Sequence, residues 1–405
     1  MAKRAFVVSE LYYPEETSTG YLLTKIAEGI ARDVPVTAIC SQPTYSARGT
    51  RAPSREHRNG VDIERCGGTT LDKNALWGRA LNAVTISLAL WWRVFRRIRR
   101  GDVAIVVTNP PFLPFGVVLA CRARGARCAL LVHDVYPEVL VAAGLSRRSS
   151  PISRIAQAAT RWLYRRSDRV VVLGRDMAAL ATRKLDGRPG RIVLIPNWAD
   201  TEDIAPSPKE ANALLRELGL TDRFVVQYAG NMGRTHGLEM LFSAAKRVRA
   251  EVHWLFIGSG AKKAWLERAI ARDGIRSVSI LGNRPRDDQP VFLTACDVAV
   301  ISFVPGMAGV SVPSRMYNIM AAGRPIIAIA DEESEVARVV SEERIGWVIA
   351  PGDVDALVAI LDRLPAEPWL VQEYGARARS VAASKYPLSC AVDGYLRLVR
   401  DLLAA

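Results

Sequence analysis

Two glycine-bearing stretches in the second half of the chain have the residue types that hold a diphosphate. In QYAGNMGRTHGLEML, residues 227–241, an apolar β-branched run leads into glycines 230, 233 and 237 and then into helical periodicity. Strand, glycine turn and helix in that order leave free backbone amides facing an anion. The spacing matches neither the dinucleotide fingerprint nor the P-loop, so neither dehydrogenase nor NTPase chemistry is implied. Arg234 and His236 stand where a side chain can reach a diphosphate, and Asn231 lies between the first two glycines. FIGSGAKKAW repeats the theme at the end of the next strand, with Gly258 and Gly260 followed by Lys262 and Lys263. Each is weak alone; on successive strands of one sheet they point to a nucleotide site. Further on, VPSRMYNIMAAGRPIIAIA places Ser314 to cap a helix from Arg315 to about Ala322, which Gly323 ends.

The first half offers LYYPEETSTGYLL, where Thr17 to Gly20 form a small-residue turn into a helix near Tyr21. Such a helix start suits a phosphate or a sugar hydroxyl, and an ordinary turn fits it as well. Asp353-Val354-Asp355 imitates a metal-binding Asp-x-Asp, but within PGDVDALVAIL Asp353 reads as a helix N-cap, so no metal site is expected.

These segments need elements that aim them. Short apolar runs alternate with amphipathic stretches throughout the 405 residues, the pattern of parallel sheets covered by helices. Strands are expected at 4–9, 35–40, 61–65, 103–108, 128–133, 169–173 and 191–195. In the second half they fall at 223–228, 252–258, 277–281, 297–302, 325–330 and 346–349. Two Rossmann-like doubly wound sheets in tandem fit this α/β pattern, with residues 196–208 as a Pro/Asn/Asp-rich linker. No run of 18 apolar residues reads as a spanning helix, and the N-terminus lacks the shape of a signal peptide. Six scattered cysteines suggest reduced thiols of a cytoplasmic protein. Charge is uneven: residues 1–199 hold 31 Lys and Arg against 15 Asp and Glu, the remainder 24 against 26. An anionic partner for the first half follows.

Taken together, LYYPEETSTG, VLIPNWADTEDIAP, YAGNMGRTHGLE and VPSRMYNIMAAGRP resemble glycosyltransferase family 4, in the branch that builds colanic-acid and O-antigen repeats. The resemblance covers essentially the whole chain. It implies a GT-B fold, with two Rossmann-like domains facing a central cleft. Residues 1–200 would form the acceptor domain and 201–386 the nucleotide-sugar donor domain, with a C-terminal helix, 387–405, packing back on the first. It also implies a UDP- or GDP-linked donor, retention of configuration, no obligatory metal, and a lipid-linked glycan acceptor. Carried over by position, Gly20 approaches the donor phosphate or the acceptor. His133, which alone reads as a core histidine, becomes a group at the reacting oxygens. Asp134 and Glu138 orient it or hold acceptor hydroxyls, although Asp134 also suits a helix cap. Pro313, Ser314 and Arg315 form a phosphate-facing helix start, and Glu335 faces the donor or is a plain first-turn acid.

Two departures stand out. Asn231 and His236 occupy positions where many relatives carry Arg and Lys, and Val310 and Asn318 replace a pair of glutamates. Asn318 retains an amide able to bond ribose hydroxyls. A nucleotide-sugar epimerase of the same fold is the competing enzyme class; it needs a richer set of carboxylates than Asp134 and Glu138. A non-enzymatic basic binder is the other alternative, but no nucleic-acid module is recognisable. Finally, AVTISLALWWRVFRRIRR (83–100) places Ile86, Leu90, Val94 and Ile98 on one stripe. With Trp91, Trp92, Arg96, Arg97, Arg99 and Arg100, it suits either a covering helix or an anionic membrane surface at the inner face of the cell membrane.

Overall fold

The computed structural model describes residues 3–44, 50–69, 71 and 76–405. Its first sheet comprises β1 (Ala5–Val8), β2 (Val36–Ser41), β3 (Arg55–Arg58), β4 (Val61–Cys66), β5 (Val103–Val107), β6 (Arg127–Leu131), β7 (Arg169–Val172) and β8 (Ile192–Leu194). The order is β3-β4-β2-β1-β5-β6-β7-β8, parallel except for β3 against β4. The second sheet comprises β9 (Phe224–Ala229), β10 (Val252–Ile257), β11 (Val278–Leu281), β12 (Val298–Ser302), β13 (Ile326–Ile329) and β14 (Gly346–Ile349). It is wholly parallel in the order β11-β10-β9-β12-β13-β14. Both are doubly wound: strand order reverses between β1 and β5 and between β9 and β12, which is where such sheets bind ligands beyond the strands' carboxyl ends. The central strands β1, β2 and β5 are buried at every position, as expected where helices cover both faces.

The chain divides into two compact units. One is Met1–Pro137, Arg148–Pro196 and Ser389–Ala405; the other is Glu138–Arg147 with Asn197–Leu388. Within the first, the final helix Leu388–Ala404 packs by close approach: a Cβ on Gly29 would lie 2.6 Å from a methyl of Val392. The second unit's core gathers around Trp254 and Phe256, whose rings stack at 6.1 Å, together with Tyr228, Met232 and Leu241.

Two sequence readings change. β3, of sequence REHR, has no apolar alternation and is mostly exposed, so only its pairing with β4 reveals it as a strand. The stretch read as a linker is in part structural: Trp198, Ala199 and Ile204 are buried. There the Trp198 indole N–H donates to Asp200 at 3.0 Å and the Asp200 backbone N–H to the Asn318 carbonyl at 3.0 Å. Pro, Asn and Asp mark irregular backbone, and irregular backbone is buried wherever its polar groups find internal partners.

Candidate active site

In the second unit the ends of β9 and β10 are laced together. Gly230 donates its N–H to the Ile257 carbonyl at 2.9 Å, Met232 to the Ser259 carbonyl at 2.8 Å, and Lys262 to the Met232 carbonyl at 2.9 Å. Gly230, Gly258 and Gly260 hold φ of +142°, +141° and +151°, which side chains resist. A Cβ on Gly258 would collide with the Gly230 carbonyl oxygen, and one on Gly260 would come within 2.6 Å of the Asn231 side chain and the Met232 carbonyl. The glycines therefore let two loops approach. Gly258→Ala is expected to cost about 1–3 kcal/mol of stability through backbone strain and to loosen the cradle. Denaturant unfolding of the two proteins measures it.

Above this cradle lies Arg315, the first residue of the helix Arg315–Ala321. Its Nη1 donates to the Ala229 carbonyl at 3.2 Å and its guanidinium sits 4.7 Å over the Tyr228 ring. Nε and Nη2 are buried and have no partner among the described residues. A buried charged donor left unpaired is costly, a cost that an anion arriving on that side would relieve. Tyr228 holds the loop from below, its hydroxyl donating to the Asn231 carbonyl at 2.6 Å. His236 packs against Phe303 at 5.5 Å, and burial, with Arg315 and Lys262 nearby, pushes its pKa down to about 3. It is a neutral group here. Lys262 is shared between Glu239 (2.7 Å) and the His236 carbonyl (3.2 Å).

The remaining donor-side residues divide. Asn231 and Arg234 are exposed and Gly233 stands between them, where a Cβ would meet the Asn231 amide at 3.0 Å. Ser314 does not cap as expected. It is itself helical at φ −58°, ψ −28° and makes no side-chain cap bond, while the Pro313 and Ser314 carbonyls take the Met316 and Tyr317 N–H groups. Asn318 is committed internally: its carbonyl accepts from Asp200, and its amide donates to Asp200 Oδ2 (3.0 Å) and Gln289 (2.9 Å). Both amide hydrogens are used, so its part is to fix the helix behind Arg315. Asp200 in turn pairs with Arg286 at 2.5 Å. Glu335 is buried in the first turn of the helix Glu335–Glu342, which Ser334 caps. Val310 is buried, in a loop pinned where Asp331 accepts the Gly306 N–H at 2.9 Å and the Ala308 N–H at 3.1 Å. Asp353 caps its helix, accepting from Ala356 at 2.9 Å, and Asp355 pairs with Arg247.

In the first unit the two segments singled out by sequence meet. Thr17 caps the helix Ser18–Ile30 by accepting the Gly20 N–H, and Thr19 Oγ1 lies 3.4 Å from His133 Nδ1. Gly20 is required by space, since a Cβ would stand 2.5 Å from the Glu15 carbonyl. Thr108, which the sequence did not mark, organises the turn after β6 by accepting the His133 and Asp134 N–H groups at 3.2 and 3.3 Å. The His133 side chain is partly accessible, yet its imidazole is enclosed enough that desolvation lowers its pKa to about 4. Glu138 opens the short helix Glu138–Ala142, which groups with the second unit.

Both imidazoles have folded pKa values below the unfolded value near 6.5. Above pH 6.5 neither state is protonated. As pH falls below 6.5 the unfolded chain binds protons that the folded one refuses, so stability should decline from about pH 6.5 towards 4 and 3. Melting temperature followed across that range should show the decline, and His236→Gln should make it shallower.

The long helix Leu76–Arg97 takes the covering position on its apolar stripe. Ile86, Leu90, Val94 and Ile98 are buried, so that stripe is core. Trp91 lies against Gly116, and Arg93 and Arg97 both pair with the buried Glu64. The opposite face exposes Leu81, Val84, Leu88 and Trp92, with the Arg96 guanidinium 5.8 Å over the Trp92 ring. Arg99 and Arg100, just beyond the helix, are exposed.

Residues 20–198 match the Glycosyl transferase 4-like domain family and residues 223–366 the Glycosyl transferases group 1 family. The chain is 33% identical over 409 residues to the probable glycosyltransferase WbjE of Pseudomonas aeruginosa, covering 99% of this chain and 98% of the relative. It is 24% identical over 384 residues to the putative colanic acid biosynthesis glycosyl transferase WcaI of Escherichia coli K12, covering 90% and 94%. Among solved structures, sucrose-phosphate synthase from Thermosynechococcus elongatus aligns with a TM-score of 0.82 at 16% identity, covering 99% and 100%. Anabaena Alr3699/HepE in complex with UDP and glucose aligns at 0.74 and 15%, covering 99% of each chain.

Proposed function

The chain belongs to glycosyltransferase family 4, and from that premise we propose that it transfers a sugar from a UDP- or GDP-linked donor to a membrane-associated, lipid-linked glycan in polysaccharide assembly. The observation that carries the donor half is Arg315, a buried guanidinium with two unpartnered nitrogens above a cradle of glycines. A diphosphate supplies the anion it lacks. The neighbouring structure with bound UDP supports a nucleotide donor, and the colanic acid biosynthesis role of the WcaI relative supports a polysaccharide product. On this reading the second unit holds the donor and the first the acceptor.

Departure of the nucleotide builds negative charge on the diphosphate. Arg315 and the Gly233 amide would stabilise it without waiting for solvent to reorganise, and no obligatory metal is needed. Lys262 and Arg234 add positive potential at the rim. The sugar centre becomes oxocarbenium-like, and attack by the acceptor hydroxyl from the face the leaving group vacates retains configuration. His133, neutral at physiological pH, is the group beside Thr19 suited to exchange hydrogen bonds with the reacting oxygens; Asp134 and Glu138 serve the acceptor's hydroxyls.

The acceptor's anchorage is carried by the outer face of the helix Leu76–Arg97. No helix among the described residues is long and apolar enough to cross a membrane. An exposed row of Leu81, Val84, Leu88 and Trp92 that ends in Arg96, Arg99 and Arg100 suits peripheral attachment to anionic lipid at the cytoplasmic face. Cosedimentation with anionic vesicles should weaken with salt and with Leu88→Ser/Trp92→Ser; equal binding to neutral vesicles would remove the membrane reading and leave the transferase assignment intact.

A further inference from the structure

Arginines also collect at the other end of the first sheet, away from His133. The last turns of the helices Leu113–Arg124 and Pro151–Arg166 and the starts of β6, β7 and β8 bring Arg122, Arg127, Arg165, Arg166, Arg169 and Arg191 around one recess of about 540 Å3. A second recess of about 440 Å3 continues it along the helix Pro151–Arg166, adding Arg154 and Arg161. Compensation is sparse. Asp168 pairs with Arg127 at 3.0 Å while also accepting the Cys128 N–H at 2.8 Å, and Asp186 pairs with Arg165. Arg191 donates to the Arg165 carbonyl at 2.6 Å and Arg169 to the Asp168 carbonyl at 3.0 Å, which uses one nitrogen of each and neutralises neither. The Arg122 and Arg166 side chains have no hydrogen bond or ion pair among the described residues.

Gathering guanidinium groups this closely costs mutual repulsion that an oxyanion relieves, and their planar forks match phosphate oxygens in pairs. The recess lies at the opposite end of β6 from His133. Arg127 begins β6 and His133 follows its end, so the recess and the imidazole are separated by about 20 Å at roughly 3.3 Å per residue.

What the recess sits beside narrows the source of the anion. The helices Leu76–Arg97, Leu113–Arg124 and Pro151–Arg166 carry four, two and four arginines respectively, and not one Asp or Glu. The same helices expose apolar side chains, Ile152 at 73% and Ile155 at 71% along with Leu119 and Trp92. A soluble polyanion has no use for exposed isoleucines; a lipid surface does.

We propose that this recess is a phosphate-binding site remote from His133, and that its phosphate is the headgroup of an anionic phospholipid. It deepens the membrane reading above, because it gives the first unit a seat for individual headgroups in addition to an apolar row.

The test uses the full chain, Arg122→Gln/Arg166→Gln, and Leu88→Ser/Trp92→Ser, each first shown to melt like the parent. Binding is measured to phosphatidylglycerol/phosphatidylcholine vesicles and, separately, to inorganic phosphate by calorimetry. The arginine variant should bind the vesicles about 30-fold more weakly, each lost cation counting near the surface, and should lose saturable phosphate binding. The apolar-row variant should keep phosphate binding, so failure of the apolar row and failure of the recess are separable. Phosphate binding lost in the arginine variant with vesicle affinity unchanged would uphold the site and assign it a soluble phosphate in place of a headgroup. An arginine variant that matches the parent in both assays overturns the proposal.

Discussion

Arg315→Ala should weaken binding of the free nucleoside diphosphate by roughly 10- to 150-fold, the span of about 1.5–3 kcal/mol that a hydrogen bond to a charged group contributes. The unliganded protein should melt at the same temperature or slightly higher. These opposite signs follow from one fact: the guanidinium donates to Ala229 through Nη1, while Nε and Nη2 are buried with no protein partner among the described residues. Removing it relieves an uncompensated desolvation in the free protein and deletes a charge-assisted contact in the complex. Arg315→Lys should not restore affinity, since an ammonium lacks the fork. Arg234→Ala should have a smaller effect, because Arg234 is exposed and its charge is screened by solvent. Titration calorimetry and thermal melts on the same preparations read both quantities. Equal loss of stability and affinity would mean that Arg315 is a packing residue.

His133→Ala should lower turnover by roughly 100- to 1,000-fold, the usual scale for deleting one preorganised hydrogen-bonding group at a reacting centre, while donor affinity stays nearly unchanged. The alternative, a histidine that serves only the core, predicts a lower melting temperature with activity per folded molecule preserved. A second signature separates them. With its pKa lowered to about 4, His133 is neutral through the physiological range. Turnover that uses the neutral ring should therefore show no limb near pH 6.5, and any fall due to its protonation should come only as pH approaches 4. A rate that rises or falls through pH 6.5 in the parent and not in the variant would contradict the lowered pKa.

How much of this was legible beforehand depends on the kind of signal. The strands β5, β9 and β12 announce themselves as apolar β-branched runs, and the glycines of the cradle by type and spacing, because backbone geometry limits which residues fit there. β3 was invisible because its four residues follow no alternation. Arg315 was legible as a candidate, but not the burial that sets it apart from the exposed Arg234: both are arginines near glycines. Asn318 looked like a ribose ligand because an isolated amide always does; its partners Asp200 and Gln289 lie 118 and 29 residues away in sequence. For the helix Leu76–Arg97 the sequence left a covering helix and a membrane face both open. That helix is apolar on two faces, and the stripe of Ile86, Leu90, Val94 and Ile98 that looked amphipathic is the one the core covers. The Arg recess was present in the sequence only as an excess of charge, since its members come from two helix ends and three strand starts that the sheet order brings together.

Donor use is tested most directly by incubating the purified chain with a panel of UDP- and GDP-linked sugars in the presence of a chelator and following release of free nucleoside diphosphate. At least one donor should be hydrolysed slowly and saturably without acceptor, and Arg315→Ala should suppress that release. A parent protein that neither binds nor turns over any nucleotide sugar of the panel, with or without divalent ions, would contradict a donor site at the glycine cradle.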